Sequence, residues 1–253
     1  MTAGNMPWRT AWIIGGSSGI GAEAVNQLAR AGVRVTVSAR RAEVLTDLAE
    51  QDNVTALPLD VTDRAAVADA VAGFEALPDL IIQAAAIYEP MDRASYDAET
   101  ASAMMRVNFD GVANCLSPLM ARAAKDHESG RGKPCRIAVI ASPSGYRGLV
   151  GGAGYGPTKA AVINLVESLK PEMEPFDTWL SLVNPGFVRT QLTAKNRFPM
   201  PQLMEPEDAA RAMLAGLAKG RFEVAFPNPF LWFLRRLRCL PYGLYFALMR
   251  RMV

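Results

Sequence analysis

Along this chain, short apolar runs rich in β-branched residues alternate with longer stretches of helical period. Residues 10–14, 33–38, 54–59, 80–82, 136–141 and 179–183 read as strands. Between the first two, Ile20, Ala24 and Leu28 recur at i, i+4 and i+8, and Gly32 stands where a helix C-cap glycine belongs. Further on, Ala209, Ala212, Met213, Gly216 and Leu217 form another helical stripe, opened by Pro206 in its first turn. Strand and helix in alternation predict βαβ units, hence a single doubly wound parallel β-sheet with helices on both faces. Past Pro227 the pattern changes: Phe230, Phe233, Leu234 and Leu237 make one apolar stripe, and Tyr242, Tyr245, Phe246 and Met249 a second. With no repeat or low-complexity linker, the chain reads as one domain: a body over 1–226 and a C-terminal amphipathic helical extension over 227–253.

Composition and charge narrow the partners. Half of the 253 residues are hydrophobic, and 27 basic against 25 acidic side chains leave a net charge of +2. That is no field for holding nucleic acid. Cys115, Cys135 and Cys239 are odd in number and lack C-x-x-C spacing, so neither a disulfide framework nor a zinc knuckle is expected and a cytoplasmic setting fits. Ligand spacing for a metal is likewise missing, and the lone His127 sits in a polar stretch remote from other chemistry. Nothing reaches the roughly 20 apolar residues of a membrane span, and the run before the first glycines is too short for a signal-peptide core. The extension is the exception to the near-neutral balance, because Arg235, Arg236, Arg238, Arg250 and Arg251 all follow the last acid, Glu223. A basic, aromatic-rich helix pair packs on its own domain or a second subunit, or makes peripheral contact with an anionic membrane.

Residues 15–21, Gly15-Gly16-Ser17-Ser18-Gly19-Ile20-Gly21, directly follow the first strand and open the first helix, where unpaired helix amides meet a pyrophosphate. Gly15 permits the tight turn, Gly19 keeps a Cβ away from phosphate, and Gly21 lets helix and strand approach. About 20 residues on, where an acid would bind a ribose 2′-hydroxyl, the chain has Ser38-Ala39-Arg40-Arg41 instead. Nothing there repels a 2′-phosphate, and both arginines can donate to it, which favours NADP over NAD.

Tyr155 and Lys159 stand four positions apart, on one face of a helix. A cation beside a phenol favours phenolate and brings a proton donor within reach of neutral pH. Pro157 requires Tyr155 to lie near that helix's start. In order along the chain come the glycine loop, Asn108, Ser142 at a strand end, then Tyr155, Lys159 and Asn184-Pro185-Gly186. Over nearly its whole length, about residues 8 to 226, this resembles the short-chain dehydrogenase/reductase family with its Rossmann fold. The resemblance implies that Tyr155 is the acid/base, Lys159 its partner and a nicotinamide-ribose contact, Ser142 the holder of the substrate oxygen, and Asn108 a helix-interrupting residue that holds a relay water. It also implies that Asp60 and Val61 meet the adenine, that Ala85 borders the cofactor, and that Pro185, Gly186, Val188 and Thr190 hold the carboxamide side.

Two departures from the family pattern stand out. Residues 83–86 read Gln-Ala-Ala-Ala where Asn-Asn-Ala-Gly is usual, and Ile14 replaces the usual threonine before the first glycine. The proline-broken stretch from Gln191 to Met204 reads as a lid whose Leu192, Phe198, Met200 and Met204 cover an apolar substrate, and Tyr146, Leu149 and Val150 are expected along the same pocket. The expected activity is hydride exchange with a small, fairly apolar ketone, aldehyde or secondary alcohol, by a homo-oligomer, dimer or tetramer. A catalytically idle NADP-binding regulator and an epimerase or dehydratase on the same fold are the alternatives.

Overall fold

The computed structural model describes residues 6–91 and 94–252, without the side chains of Pro229, Phe230 and Met252. The chain runs β1 (Thr10–Ile14), α1 (Gly19–Arg30), β2 (Arg34–Ser38), α2 (Glu43–Ala49), β3 (Val54–Ala56), α3 (Arg64–Ala72), β4 (Leu80–Gln83), α4 (Ala98–Met105), α5 (Gly111–Glu128) and β5 (Cys135–Ile140). It continues with α6 (Tyr155–Met173), β6 (Thr178–Pro185), α7 (Pro206–Ala218), β7 (Glu223–Phe226), α8 (Asn228–Leu237) and α9 (Tyr242–Met249). Seven strands form one sheet in the order β3-β2-β1-β4-β5-β6-β7, each adjacent pair parallel. The doubly wound sheet expected from the sequence is thus present, with its order reversing between β1 and β4.

Side chains alternating across the strands feed two cores. Trp12, Ile14, Ile81, Ile137, Val139 and Leu182 face α3, α5 and α6, while Ala11, Ile13, Val37, Ile82, Ala138 and Val183 face α1, α2 and α7. The expected caps hold: Gly32 takes φ +81° just past α1, and Pro206 opens α7. Asp63, not Asp60, caps α3 by accepting from the Ala66 amide at 3.0 Å.

Two expectations need correction, and one strand was not expected. β3 stops at Ala56 rather than Leu59, because this edge strand pairs with β2 only over Val35 to Val37. β7 carries no strand signal strong enough to be read, and its partner β6 supplies the ladder. In the tail, α8 buries Leu231, Leu234 and Leu237, with Phe233 turned outward, and α9 buries Tyr245 and Met249, with Tyr242 and Phe246 outward. Phe230, named in the first stripe, lies outside the described side chains. Both tail helices therefore dock on the domain's own core. No described helix is long and apolar enough to cross a membrane.

Candidate active site

At the C-terminal edge of β1, the loop to α1 folds back so that the amides of Gly15 and Gly16 donate to the Ser38 carbonyl at 2.7 and 3.2 Å. Gly15 has φ +86°, and a Cβ there would sit 2.3 Å from the Ala85 nitrogen, so backbone fills the space a side chain needs. Gly19, at φ +56°, would place a Cβ 2.9 Å from Thr190, and Gly21 would place one 2.4 Å from the Gly15 carbonyl. Ser18, exposed, is the N-cap of α1 but forms no side-chain cap, and the first turn carries no acid. Ser17 and Ile20 are half-buried beside it. The uncapped N-terminus of α1 and the cradle without Cβ atoms fit a dinucleotide pyrophosphate.

The other residues expected to meet a cofactor lie at or beyond the C-terminal ends of β2, β3, β4 and β6. Asp60 accepts from the Thr62 amide and hydroxyl, both at 2.8 Å. Burial raises its pKa, but those bonds and the Arg40 charge outweigh burial and hold the carboxyl below its ordinary range. Arg40 and Asp60 therefore share one corner; Arg41 is exposed next to it, ahead of α2. Val61 is buried under Gly111, where a Cβ would sit 2.6 Å from it. Pro185 ends β6, and the Gly186 amide donates to the Phe226 carbonyl at 2.7 Å. Val188 is buried, and its carbonyl and the Thr190 hydroxyl both engage Thr193.

The two departures have structural readings. Ile14 lies in the core, and its carbonyl accepts the Ala84 amide at 2.7 Å, a backbone tie between the loops of β1 and β4. Gln83 is buried at the strand edge, and its Nε2 is among the described buried polar atoms without a partner.

Tyr155 is the first residue of α6, as Pro157 requires, and Ser142 follows β5 as the N-cap of a short turn over Pro143–Gly145. Ser142 Oγ accepts from the Ser144 hydroxyl at 3.0 Å and also hydrogen-bonds Tyr155. One turn along α6, Lys159 is buried and its Nζ donates to the Ile140 carbonyl at 2.8 Å, 5.6 Å from the Tyr155 ring centre. The expectation that Lys159 lowers the phenol's pKa is not met. Burial and the neighbouring Tyr88 push it up, with the Ser142 bond a partial offset. Burial instead lowers Lys159 to about 8, so the ammonium is the group brought near neutrality.

Asn108 lies in a π-helical turn, Arg106–Asp110, which breaks the helix between α4 and α5. Fully buried, it donates to the Ile87 carbonyl at 2.9 Å and Thr158 Oγ1 at 3.2 Å, and accepts from the Ile87 amide at 2.8 Å. Thr158 in turn donates to the Tyr155 carbonyl at 2.8 Å. Asn108 thus joins the loop after β4 to the first turn of α6.

Sequence reasoning missed Thr158 and Tyr88. The Tyr88 ring stands edge-on to Tyr155, with centres 5.2 Å apart, and its hydroxyl donates to Asn196 Oδ1 at 2.8 Å. Beside it, Lys195 pairs with Glu89, so the lid is fastened across the phenol. In the lid, Leu192, Met200 and Met204 are half-buried, and Phe198 is half-exposed against Phe187. Tyr146 differs from expectation, because its hydroxyl is turned away to Glu223 in β7. His127 lies at the opposite end of the sheet, near Asp177. A cavity of about 500 Å³ between α3 and the segment Leu57-Pro58-Leu59 involves no residue of this constellation.

The profile of the short chain dehydrogenase family matches residues 9–200. An uncharacterized oxidoreductase of Myxococcus xanthus is 34% identical over 255 residues, covering 98% of each chain. In architecture the chain is similar to a short chain dehydrogenase of Burkholderia cenocepacia solved in complex with NADP, with a TM-score of 0.82, 23% identity, and coverage of 98% of this chain and 99% of that one. A short chain dehydrogenase/reductase of Burkholderia phymatum in complex with NAD gives a TM-score of 0.79 at 20% identity, over 92% of this chain and 93% of that one. At those two identities the likeness is one of fold.

Proposed function

Because the chain belongs to the short-chain dehydrogenase/reductase family, we propose that it is an NADP-dependent oxidoreductase acting on a small, fairly apolar ketone, aldehyde or secondary alcohol, with Tyr155 as the acid/base. The observation that carries this reading is the meeting of Tyr155 with Ser142 while the buried Lys159 ammonium lies one turn away. The nicotinamide, when bound, supplies or takes the hydride. Tyr155 Oη gives or receives the proton of the substrate oxygen, and Ser142 Oγ orients that oxygen by a hydrogen bond. Lys159, held at about 8, exchanges its own proton near neutral pH and contacts the nicotinamide ribose. Asn108 keeps the helix broken and the first turn of α6 in place, at the position assigned to the relay water.

On the cofactor side, Gly15, Ser17, Ser18, Gly19, Ile20 and Gly21 receive the pyrophosphate, and Asp60, Val61 and Ala85 border the adenosine half. Pro185, Gly186, Val188 and Thr190 hold the nicotinamide end. The preference for NADP rests on Arg40, with Arg41 beside it, and on the lack of an acid at Ala39. We place the working enzyme in the cytoplasm as a homo-oligomer, dimer or tetramer, built from a catalytic body over 1–226 with the extension over 227–253 in peripheral contact with a membrane.

The test is a panel of ketones, aldehydes and alcohols with NADPH and with NADH, read by absorbance of the reduced nicotinamide. Turnover of an uncharged carbonyl with NADPH is expected. The idle-regulator alternative has one observation behind it, the altered residues 83–86 with the unpartnered Gln83 amide, and it requires NADPH binding with no turnover across the panel.

A further inference from the structure

Large apolar side chains exposed singly are ordinary, but a concentration of them marks a contact surface. Of the nine large hydrophobic residues left exposed among the described ones, five lie on the two tail helices: Trp232, Phe233, Tyr242, Leu244 and Phe246. They are 50–72% exposed, whereas Leu231, Leu234 and Leu237 on the other side of α8 are under 10%. Each helix spends one face on the core and keeps a second aromatic face outside.

The two helices are joined by a short, anchored connection. Residues 238–241 are the whole connection, and Arg147 ties it down through the Leu237 and Leu240 carbonyls while its guanidinium lies 3.9 Å from the centre of the Tyr245 ring and 5.0 Å from that of Tyr242. Cations surround the patch. Arg235 is taken by Glu223, but the exposed Arg236, Arg238, Arg250 and Arg251 have no acidic partner among the described residues. Arg236 stacks on Trp232, 4.3 Å from the ring centre, so charge and aromatic surface are presented together.

Charge decides between the two occupants such a surface fits. A second copy related by a twofold axis would set this arginine cluster against its own image, with no acid after Glu223 to intervene. Anionic lipid headgroups supply the missing countercharge, and tryptophan and tyrosine settle at the depth where headgroup meets acyl chain. With ten and eight residues, α8 and α9 are too short to span a bilayer and suit lying in its plane.

We propose that the outer face of α8 and α9 docks on an anionic membrane surface, with Trp232, Phe233, Tyr242, Leu244 and Phe246 inserted and Arg236, Arg250 and Arg251 on the headgroups. This deepens the peripheral-contact reading and rests on it, not on the hydride chemistry. It also ties the docked tail to the loop that carries the site, since Arg147, which holds the connection between α8 and α9, follows Ser142 by five residues.

The test uses the full chain with vesicles of phosphatidylcholine alone or mixed with phosphatidylglycerol, by co-sedimentation at low and high salt. Binding only to the phosphatidylglycerol vesicles, weakened by salt, is expected, and each of Arg236→Gln and Arg250→Gln should weaken it about five-fold. The triple variant Trp232→Ser, Phe233→Ser, Leu244→Ser should lose vesicle binding yet turn over a water-soluble carbonyl at the parent rate. Equal binding to both vesicles, binding to neither, or a parent dimer by light scattering that the triple variant dissociates would each overturn the proposal. A parent that binds vesicles but turns over nothing refutes only the oxidoreductase reading.

Discussion

Lys159→Met should make the protein more stable, and the gain should fade as pH rises. Lys159 is 2% exposed, and burial holds its ammonium at about 8 against an ordinary 10.5. Between those values the unfolded chain binds the proton and the native chain does not, so native stability rises with pH by about 1.4 kcal/mol per pH unit, about 3 kcal/mol over the interval. Below about pH 8 both states carry the proton, and the native state bears the full desolvation of the charge. Methionine removes that penalty but also leaves the Ile140 carbonyl without its 2.8 Å donor, a loss of about 1 kcal/mol. The variant should therefore exceed the parent by about 2 kcal/mol near pH 7 and lose its advantage by about pH 10. Cys115 and Cys135, pushed up to about 12, and the raised phenols of Tyr146 and Tyr155 lower stability at alkaline pH. Because they are common to both proteins, they cancel in the difference. Urea unfolding followed by tryptophan fluorescence across this range measures it. A parent-to-variant difference that stays constant with pH, or a parent that is the more stable at neutral pH, would refute the reasoning.

Three further outcomes are expected. Tyr155→Phe should lower turnover about 10²- to 10⁴-fold while NADPH still binds by fluorescence titration, and near-parental rates would remove Tyr155 from the mechanism. Arg40→Asp should reverse the coenzyme preference, costing about ten- to a hundred-fold in NADPH affinity, and a parent that already prefers NADH would sink the assignment. Gly15→Ala should cost at least about 2 kcal/mol in urea unfolding and weaken NADPH binding, since its φ of +86° and its contact with Ala85 both exclude a Cβ; an unchanged midpoint would count against that geometry.

Local chemistry carried most of the sheet. Strands covered on both faces announce themselves as apolar runs, and the turn after β1 announces itself by its glycines, of which Gly15 and Gly19 take positive φ. What escaped reading depends on distant partners. β7 is four residues whose ladder comes from β6, where Leu182 pairs with Glu223 across 41 positions of chain. Tyr88 gains its place from Tyr155 and Asn196, and Thr158 from Asn108, none of which a local pattern can announce. The tail stripes were half legible: helical period was plain, but an aromatic residue reads as core by composition, while the docking angle of α8 chose three leucines and left Phe233 outside. For Lys159, spacing revealed its proximity to Tyr155, but its own burial, which lowers the ammonium to about 8, depends on the packed core and has no local signal.

The fastening of the lid sets how the enzyme would trade speed against salt. Its clasp is Lys195, paired with Glu89 and donating to the Tyr88 carbonyl at 3.1 Å, together with a neutral hydrogen bond from Tyr88 to Asn196. Together these are worth only about 1–2 kcal/mol, far less than the apolar core beneath them. Such a latch opens by thermal motion many times before the fold around it loosens, so exchange of reactant for product need not involve the sheet at all. Dissolved ions weaken the charged half of the latch and leave the phenol's half untouched, which makes ionic strength, rather than temperature, the gentler control on how long a molecule stays inside.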